Sequence, residues 1–325
     1  MPITYSIDVS RSLILTTAAG RLTAADLTYI AEHSETQVLI YEAEFEATAR
    51  AIAANVKHPL KLIRAGGDAQ HPDEYETFLA SATPHIEPVT DERGLLSINY
   101  TSGTTGKPKG VMYHHRGAYL QALAMATHTR LHESSVYLWT LPMFHCNGWC
   151  FPWTLALVAG TSVCLRRISA RHIYDSLADN DVTHMCGAPI IMQFIIGATD
   201  AERRPLKRKV EFMTAAAPPP AAVLEALEKE NFRVTHVYGL TEVYGPATIC
   251  SWHAEWDSLP AHDRARLKAR QGVRYAAQDA VTVMDPISMK EVPRDGNTMG
   301  EVMFRGNLVM KGYLKNPKAT KEAFE

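Results

Sequence analysis

The segment TSGTTGKPKG, from Thr101 to Gly110, constrains the fold and the chemistry of this 325-residue chain more than any other feature. It holds four hydroxyl side chains, three glycines and two lysines. Hydroxyl and backbone N–H groups donate hydrogen bonds to phosphate oxygens, glycines allow close backbone approach, and lysines balance negative charge. Residues 95–100 predict a short buried strand, so the segment leaves a sheet edge, where α/β proteins hold nucleotides. We therefore interpret it as a phosphate-binding element, called the phosphate loop below.

The phosphate loop differs from a Walker A motif. Gly103 and Gly106 are too close together, and Lys107 is followed by Pro108 where Walker A has Ser or Thr. A solvated turn is the alternative interpretation. Ordinary turns, however, rarely carry so many donors followed by two lysines.

Composition limits the classes of function. The chain is 46% hydrophobic and 21% charged with a net charge of −2, which predicts a substantial core and no nucleic-acid partner. The longest apolar run, residues 151–165, is broken by Pro152 and Gly160, so we expect no stable membrane insertion. The N-terminus lacks the pattern of a signal peptide. An odd number of cysteines favours a reducing, cytoplasmic setting.

The cysteines could also be considered as metal ligands. His145 lies beside Cys146 and close to Cys150, but no second pair follows at ligand spacing. We therefore expect all five to be buried free thiols: Cys146, Cys150, Cys164, Cys186 and Cys250.

Alternating strand and helix patterns predict an α/β fold with layered sheets flanked by helices. Residues 1–21 predict a hairpin, and Thr23 is the predicted N-cap of a helix over 22–33. The further predicted strands are 38–41, 60–63, 136–143, 162–166, 184–188, 209–214 and 234–238. The further predicted helices are 42–55, 75–82, 117–127, 172–179, 189–198, 220–231 and 261–271. Short strands and turns after Pro260 predict a smaller β-rich subdomain, giving a division into residues 1–21, 22–258 and 259–325.

Four separated segments, in this order, resemble the AMP-forming adenylating enzymes, which include acyl-CoA synthetases, luciferases and peptide-synthetase adenylation domains. They are residues 100–110, 141–145 with Trp149, 238–242, and 300–306 with 311–313. The resemblance runs from about Leu22 to Glu325, and we expect the hairpin over residues 1–21 not to match the family. Residues 142–149 and 214–220 look most like the fatty acyl-CoA synthetase branch. The resemblance implies the α/β large domain of acyl-adenylate-forming enzymes.

The family chemistry that the resemblance implies has two steps. A carboxylate attacks the α-phosphorus of ATP to give an acyl-adenylate and pyrophosphate, and the thiol of coenzyme A then displaces AMP. The implied substrates are ATP, coenzyme A and a medium- or long-chain fatty acid, with Mg²⁺ as cofactor. Since the first step brings negative charges together, the protein must neutralise and position them.

The resemblance implies phosphate-binding roles for a set of residues that includes most of the phosphate loop. Those expected to hold the β- and γ-phosphates are Thr101, Ser102, Gly103, Thr104, Thr105, Gly106 and Lys109. Glu242 is the expected Mg²⁺ ligand, with Thr104 as a further candidate, and Thr241 is expected to bond the α-phosphate. The alternatives are a helix-cap glutamate and a turn threonine.

The resemblance also implies adenine and acyl sites. Tyr238 is expected to stack on adenine, and the surrounding nucleotide-binding positions are Ala215, Ala216, Ala217, Pro218 and Gly239. The expected acyl-pocket residues are His145, Trp149, Ala188, His236 and Val237, with His145 near the reacting carboxylate. A core tyrosine, a structural histidine and a core indole at Trp149 are the alternatives.

Related sequences continue into a ribose-binding Gly-Asp segment and a small domain carrying a catalytic lysine, and this chain ends before both. We therefore expect a central fragment of the large domain, weak nucleotide binding, low ligase turnover and exposed faces that favour a homo-oligomer. A non-catalytic module that binds nucleotides or acyl-adenylates is the alternative function. An adenylation domain that loads a carrier protein is a third.

Overall fold

The structure, a computed structural model, describes most of the chain. The described residues are 5–8, 12–17, 22–67, 71–83, 88–101, 107–215 and 219–324. They divide into two compact units. Unit 1 comprises Met1–Arg116, Met143–Asn147 and Met310–Glu325, and unit 2 comprises Gly117–Pro142 and Gly148–Val309. The sequence-based division at residues 21/22 and 258/259 is drawn from the pattern of motifs and predicted elements, and it stays a prediction. The two units are defined instead by which residues pack together.

The secondary structure of the described residues alternates as the sequence predicts. The strands are β1 (Tyr5–Asp8), β2 (Ser12–Thr17), β3 (Val38–Glu42), β4 (Lys61–Ala65), β5 (Leu95–Thr101), β6 (Lys109–His114), β7 (Val136–Trp139), β8 (Thr161–Cys164), β9 (His184–Cys186), β10 (Val210–Thr214), β11 (Phe232–Leu240), β12 (Gly245–Ile249), β13 (Val273–Arg274), β14 (Ala280–Met284), β15 (Glu301–Arg305) and β16 (Gly312–Tyr313). The helices are α1 (Ala24–His33), α2 (Glu46–Asn55), α3 (Glu74–Ala80), α4 (His115–Thr129), α5 (Cys146–Trp149), α6 (Phe151–Val158), α7 (Ala170–Asp179), α8 (Pro189–Ile196), α9 (Ala221–Lys229), α10 (Ala261–Lys268) and α11 (Pro317–Phe324).

Unit 1 is built around a five-stranded sheet of order β1-β2-β5-β6-β16, in which β2 runs parallel to β5 and the other neighbours are antiparallel. A separate parallel pair, β3 and β4, is covered on both faces, because consecutive residues of β3 are apolar and their side chains point alternately to the two faces. Leu39 and Tyr41 pack with residues of α1 and α2, and Val38 and Ile40 face the aromatic residues of α3. The predicted hairpin is confirmed by the pairing of β1 with β2. The strands predicted over 38–41 and 60–63 are confirmed as β3 and β4.

The start of α1 shows how local sequence sets an element boundary. The Thr23 hydroxyl accepts a hydrogen bond from the Asp26 N–H at 3.2 Å, and the Asp26 carboxylate accepts one from the Thr23 N–H at 3.1 Å. This capping box satisfies two of the unpaired donors at the helix N-terminus. The predicted N-cap at Thr23 is confirmed.

Unit 2 contains a seven-stranded sheet of order β13-β12-β11-β10-β9-β7-β8. Strands β8, β7, β9, β10 and β11 are parallel, and β12 and β13 complete one edge in antiparallel pairing. One face of the parallel strands packs on α7, α8, α9 and α10 through a continuous apolar core that includes Leu138, Phe212 and Phe232. The predicted α/β class with layered sheets and flanking helices is confirmed.

The structure differs from the sequence predictions at several positions. Strand β7 ends at Trp139 instead of residue 143, and the predicted helix over 42–55 begins with a short 3-10 turn, Ala43–Phe45. Helix α6 and strand β12 lie where the sequence predicted no element. The buried thiol predicted at Cys164 is wrong: it is exposed because β8 is an edge strand, while the other four free cysteines are buried. Within the described residues, no helix is long and apolar enough to cross a membrane.

A buried histidine in unit 2 makes the stability of the fold depend on pH. His184 is 8% exposed, its Nε2 lies 2.9 Å from the Thr129 carbonyl oxygen, and its Nδ1 lies 2.7 Å from the Thr183 hydroxyl. Burial lowers the pKa of His184, and nearby His132 lowers it further, against the opposing effect of the Thr129 carbonyl. Between the lowered pKa and the ordinary value of about 6.5, the unfolded chain therefore binds a proton that the native protein does not.

We expect the free energy of unfolding to fall as pH drops from about 7.5 to about 5.5, by at most about 1.4 kcal/mol per pH unit for this histidine. His184→Gln keeps a donor and an acceptor but cannot titrate, so it should flatten the dependence. Urea unfolding at several pH values measures this. The control is His262→Gln, because His262 is exposed on α10. Equal pH slopes in the two variants would contradict the assignment of the pH dependence to His184.

Candidate functional site

The phosphate loop connects two antiparallel strands of unit 1. Thr101, the last residue of β5, pairs with Lys109, the first residue of β6. The intervening positions Ser102, Gly103, Thr104, Thr105 and Gly106 lie outside the described residues, so their predicted phosphate contacts stay predictions. The loop is thus closed by a β-ladder at its base, and Thr101 and Lys109 are held opposite each other.

Both lysines after the loop lie against aromatic rings. The Lys107 Nζ is 4.9 Å from the centre of the Tyr29 ring, and the Lys109 Nζ is 4.3 Å from that of Tyr313. A cation–π contact holds an ammonium group without neutralising its charge. The predicted role of Lys109 as a phosphate ligand is compatible with this placement.

Helix α1 contacts both stems of the phosphate loop, which the sequence did not predict. The Tyr29 hydroxyl points to the Pro108 carbonyl oxygen at 3.5 Å, and His33 Nδ1 lies 2.7 Å from the Tyr100 hydroxyl. Burial raises the pKa of Tyr100, so its hydroxyl keeps its proton. Burial, together with Lys315 and Lys107, lowers the pKa of His33, which favours a neutral imidazole.

His145 precedes a turn of unusual backbone geometry. It is exposed, yet the protein atoms around it desolvate the imidazole and lower its pKa. The five residues after it, Cys146 to Cys150, all have φ between +43° and +62° and form a left-handed turn that contains α5. Left-handed backbone costs about 1–2 kcal/mol for each residue with a side chain, and such strain concentrates at functional sites.

A buried polar cluster in unit 1 fastens this turn. Asn147 Oδ1 accepts hydrogen bonds from Ser97 Oγ at 2.6 Å and from Asn99 Nδ2 at 2.8 Å, and the Asn147 N–H donates to Asn99 Oδ1 at 2.9 Å. All three residues are at most 2% exposed. No sequence pattern pointed to these three residues, although asparagine is a residue that tolerates left-handed backbone.

The nucleotide positions predicted after the phosphate loop lie in unit 2, at the carboxyl ends of adjacent parallel strands. Ala215 follows β10 and is half-buried, and Tyr238 and Gly239 end β11. Ala216, Ala217 and Pro218 lie outside the described residues. The carboxyl edge of a parallel sheet is where open α/β folds bind ligands.

Tyr238 and Gly239 have different environments. The Tyr238 ring is half-buried and stacks on Phe304 of β15, with ring centres 6.2 Å apart and planes at 25°. Gly239 lies at an irregular pairing with β12, where a Cβ atom would be 1.7 Å from the Gly245 carbonyl oxygen. Close packing of two strands therefore requires the glycine, whatever its contact with a nucleotide.

Thr241 and Glu242 follow β11 in a one-turn 3-10 helix, Thr241–Val243, and both are half-buried. The N-cap of this helix is Leu240, so Glu242 is not the capping residue. The turn ends at Tyr244, which has a φ of +68° and places its ring over Gly117, where a Cβ atom would be 2.2 Å from the ring. Large and small residues thus interlock to hold the Thr241–Glu242 segment.

The predicted acyl-pocket residues of unit 2 are distributed over several places. Trp149 is 5% exposed and packs against Gly245, and Ala188 is the exposed N-cap of α8. Val237 is fully buried in β11. His236 is 1% exposed, and its Nδ1 lies 3.0 Å from the Ala269 carbonyl oxygen, which makes Nδ1 the protonated nitrogen.

Of these residues, His236 lines a cavity of about 530 Å³ within unit 2. Its other lining residues include Tyr137, Cys186, Glu211, Cys250 and Lys268. Trp149, Ala188 and Val237 do not line this cavity, so their predicted roles as one acyl pocket stay predictions. Among the described residues, no group of three or more His, Cys, Asp or Glu side chains is placed to hold a metal ion.

The chain belongs to the AMP-binding enzyme family, whose sequence pattern it matches over residues 9–314. The match begins inside the N-terminal hairpin, ahead of Leu22, where the motifs alone placed the start of the resemblance. The family resemblance predicted from the four segments is therefore confirmed. The Thr101–Gly110 and Tyr238–Glu242 segments both lie inside the matched range.

Its relatives are CoA ligases. The chain is 45% identical to the peroxisomal acetate/butyrate–CoA ligase of Arabidopsis thaliana and 45% identical to an acetate–CoA ligase of Humulus lupulus, in each case over 94% of this chain and 57% of the relative. The inhibitor-bound N-terminal domain of FACL13 from Mycobacterium tuberculosis has the same fold, with a TM-score of 0.77 and 26% identity over 95% of this chain and 74% of that domain. The chain thus spans little more than half the length of these curated relatives.

We expect Gly239→Ala to lower the free energy of unfolding by about 3 kcal/mol, because the added methyl group meets only backbone atoms, which cannot move aside. Urea unfolding measures the change. In the control, Gly296→Ala, the methyl group meets nothing within 4 Å and only the φ of +73° is unfavourable, so the loss should be about 1 kcal/mol. Equal midpoints for the two variants would contradict the packing role of Gly239.

Proposed function

We propose that this protein is part of an AMP-forming acyl-CoA ligase, which activates a carboxylate with ATP and passes the acyl group to coenzyme A. The observation that carries the proposal is the Tyr238–Glu242 segment, which leaves the carboxyl edge of a parallel sheet in a chain of the AMP-binding enzyme family. The carboxyl edge of a parallel sheet, followed by the Thr241 hydroxyl and the Glu242 carboxylate, suits a nucleoside triphosphate with its metal ion.

The phosphate contacts in this proposal come from the two stems and the interior of the phosphate loop. Thr101 and Lys109 would bond the β- and γ-phosphates together with Ser102, Gly103, Thr104, Thr105 and Gly106. Thr241 would donate its hydroxyl to the α-phosphate. The Lys109 ammonium keeps its full charge beside the Tyr313 ring, which favours contact with an anion.

Magnesium fits this site as a metal that needs few protein ligands. Mg²⁺ is held in nucleotide enzymes by one or two carboxylates, water and the substrate phosphates. Glu242, half-buried on a short helix, would supply the carboxylate, with Thr104 as a further candidate. Bound there, Mg²⁺ would offset the charge of the phosphates.

In the proposed site, Tyr238 would bind the adenine and His145 would lie at the acyl end. The half-buried Tyr238 ring, already stacked on Phe304, would present its other surface to adenine, next to Ala215, Ala216, Ala217, Pro218 and Gly239. A His145 imidazole whose pKa is lowered is neutral at pH 7, so it would offer one N–H to the reacting carboxylate without an ion pair that restrains it.

The acid substrate is proposed to be a short-chain carboxylate such as acetate or butyrate. The relatives named above act on those acids. The buried Trp149 indole beside Gly245 and the buried Val237 support a short pocket, because both positions are filled by protein atoms. The medium- or long-chain fatty acid expected from the sequence motifs is the competing substrate class, and Ala188 and His236 would belong to the pocket in either case.

The proposed reaction gives a direct assay. With ATP, Mg²⁺ and coenzyme A, we expect acid-dependent formation of AMP and of a CoA thioester, faster with acetate or butyrate than with octanoate or palmitate. Glu242→Gln should reduce the rate by at least about 10²-fold. The variant removes the carboxylate that would hold Mg²⁺, so the charge of the phosphates would no longer be offset. Mass spectrometry of the thioester measures the product.

The matched control is Glu255→Gln, an exposed carboxylate on unit 2, which should leave the rate unchanged. Binding of ATP by calorimetry without thioester formation from any of the acids would favour the non-catalytic nucleotide-binding alternative. Faster reaction with palmitate than with butyrate would overturn the short-chain assignment.

The ring that supports Lys109 should affect nucleotide affinity. We expect Tyr313→Leu to weaken ATP binding by about 2–5-fold, because loss of a cation–π contact of about 0.5–1 kcal/mol lets the ammonium group move. Tyr313→Phe keeps the ring and should bind ATP as the wild type does. Isothermal titration calorimetry distinguishes the two variants, and equal affinities would contradict the supporting role.

Cellular location and self-association are separate proposals. The free cysteines support the predicted cytoplasmic setting, and the Arabidopsis relative is named as peroxisomal. A fluorescent fusion in cells distinguishes these compartments. The predicted homo-oligomer is tested by light scattering of the purified protein.

A further inference from the structure

Asn147 connects two segments of unit 1 that carry residues of the proposed site. One is β5, which contains Ser97 and Asn99 and ends at Thr101, where the phosphate loop begins. The other is the Met143–Asn147 segment, which contains His145. The contacts of Asn147 with β5 therefore set where the Met143–Asn147 segment lies relative to the base of the phosphate loop.

The hydrogen bonds of Asn147 define its orientation. The Asn99 side chain accepts from the Asn147 backbone through Oδ1 and donates to the Asn147 side chain through Nδ2, at 2.9 and 2.8 Å. A backbone N–H can only donate, so the amide of Asn99 can point only one way. Ser97 Oγ donates to the same Asn147 oxygen at 2.6 Å. Because these groups are buried, water cannot readily replace any lost partner.

The backbone of Asn147 adds a second requirement. Its φ of +43° lies inside the left-handed run from Cys146 to Cys150. Asparagine enters this region more readily than other residues with a side chain, and glycine enters it freely. Asn147 thus combines backbone tolerance with a side-chain oxygen that binds two donors of β5. Glycine would supply only the first property, and alanine would supply neither.

We propose that Asn147 is a positioning residue that, through Ser97 and Asn99, holds the left-handed turn and His145 in a constant place relative to the start of the phosphate loop. Its catalytic consequence rests on the proposed ligase function. In that reaction a carboxylate oxygen must approach the α-phosphorus, and a displacement of about 1 Å in a reacting group costs about 10²-fold in rate.

The test compares variants that separate the two properties of Asn147. Asn147→Gly keeps the left-handed backbone and should reduce kcat by about 10–100-fold while the KM for ATP stays unchanged. Asn147→Ala should reduce kcat further, since it also opposes the positive φ. Ser97→Ala, which leaves the Asn99 contacts in place, should have a smaller effect than either.

The control for a general loss of hydrogen bonding by a buried side chain is Tyr41→Phe. Tyr41 is 5% exposed in unit 1, and its hydroxyl donates to Glu46 Oε2 at 2.7 Å. It lies on strand β3, which carries no residue of the proposed site. It should lower stability and leave kcat unchanged. A wild-type kcat in Asn147→Gly, or losses that match the fraction of unfolded protein measured by circular dichroism, would overturn the positioning role.

A second readout does not depend on ligase activity. The imidazole resonances of His145, assigned by their absence in His145→Gln, should move in the NMR spectrum of Asn147→Gly and stay in place in Tyr41→Phe. If the wild type makes no thioester but these resonances move, the ligase proposal fails and the positioning of His145 stands. Unmoved resonances in Asn147→Gly would refute the positioning proposal itself.

Discussion

The antiparallel ladder between β5 and β6 is the constraint on which unit 1 depends. It places Thr101 opposite Lys109 and so defines the base of the phosphate loop, while β2 and β16 pair with the outer edges of the two strands. Gly110 lets β6 approach closely, since a Cβ atom there would be 3.0 Å from Ile98 and 3.1 Å from the Tyr100 ring. The ladder therefore fixes the places of Thr101 and Lys109, the two described residues at the base of the loop.

Aromatic rings and a neutral imidazole surround the lysines beside the loop. Lys107 and Lys109 lie on the rings of Tyr29 and Tyr313, which orient the ammonium groups but leave their charge in place. The neutral state of His33 avoids a third cation beside Lys107 and Lys315, and the lowered pKa of the imidazole follows from that environment. In unit 2, two glycines allow close packing because they have no side chain: Gly239 packs against β12, and Gly117 packs against the Tyr244 ring. A motif glycine can therefore reflect packing as much as ligand contact.

Much of the fold was predictable because its signals are local. The capping box at Thr23, the apolar run of β3 and the Pro-initiated α8 each depend on a few consecutive residues. The family was predictable for the same reason, since each motif is a short run. Predictions failed where the deciding neighbour was distant. Cys164 looks like a buried strand residue and is exposed, because β8 is the edge strand of its sheet in the described part of the chain.

The sequence by itself determined the α/β class, the position of the phosphate loop and the membership in the AMP-binding enzyme family. Only the tertiary structure decided that α1 contacts both stems of the loop, that Lys109 faces Tyr313, and that Asn147 joins β5 through Ser97 and Asn99. The physical reason is the same in each case. These contacts join residues that are 48 to 79 positions apart in the pairs Asn99–Asn147, Ser97–Asn147 and Tyr29–Pro108, and only the packed chain brings such residues within hydrogen-bonding distance.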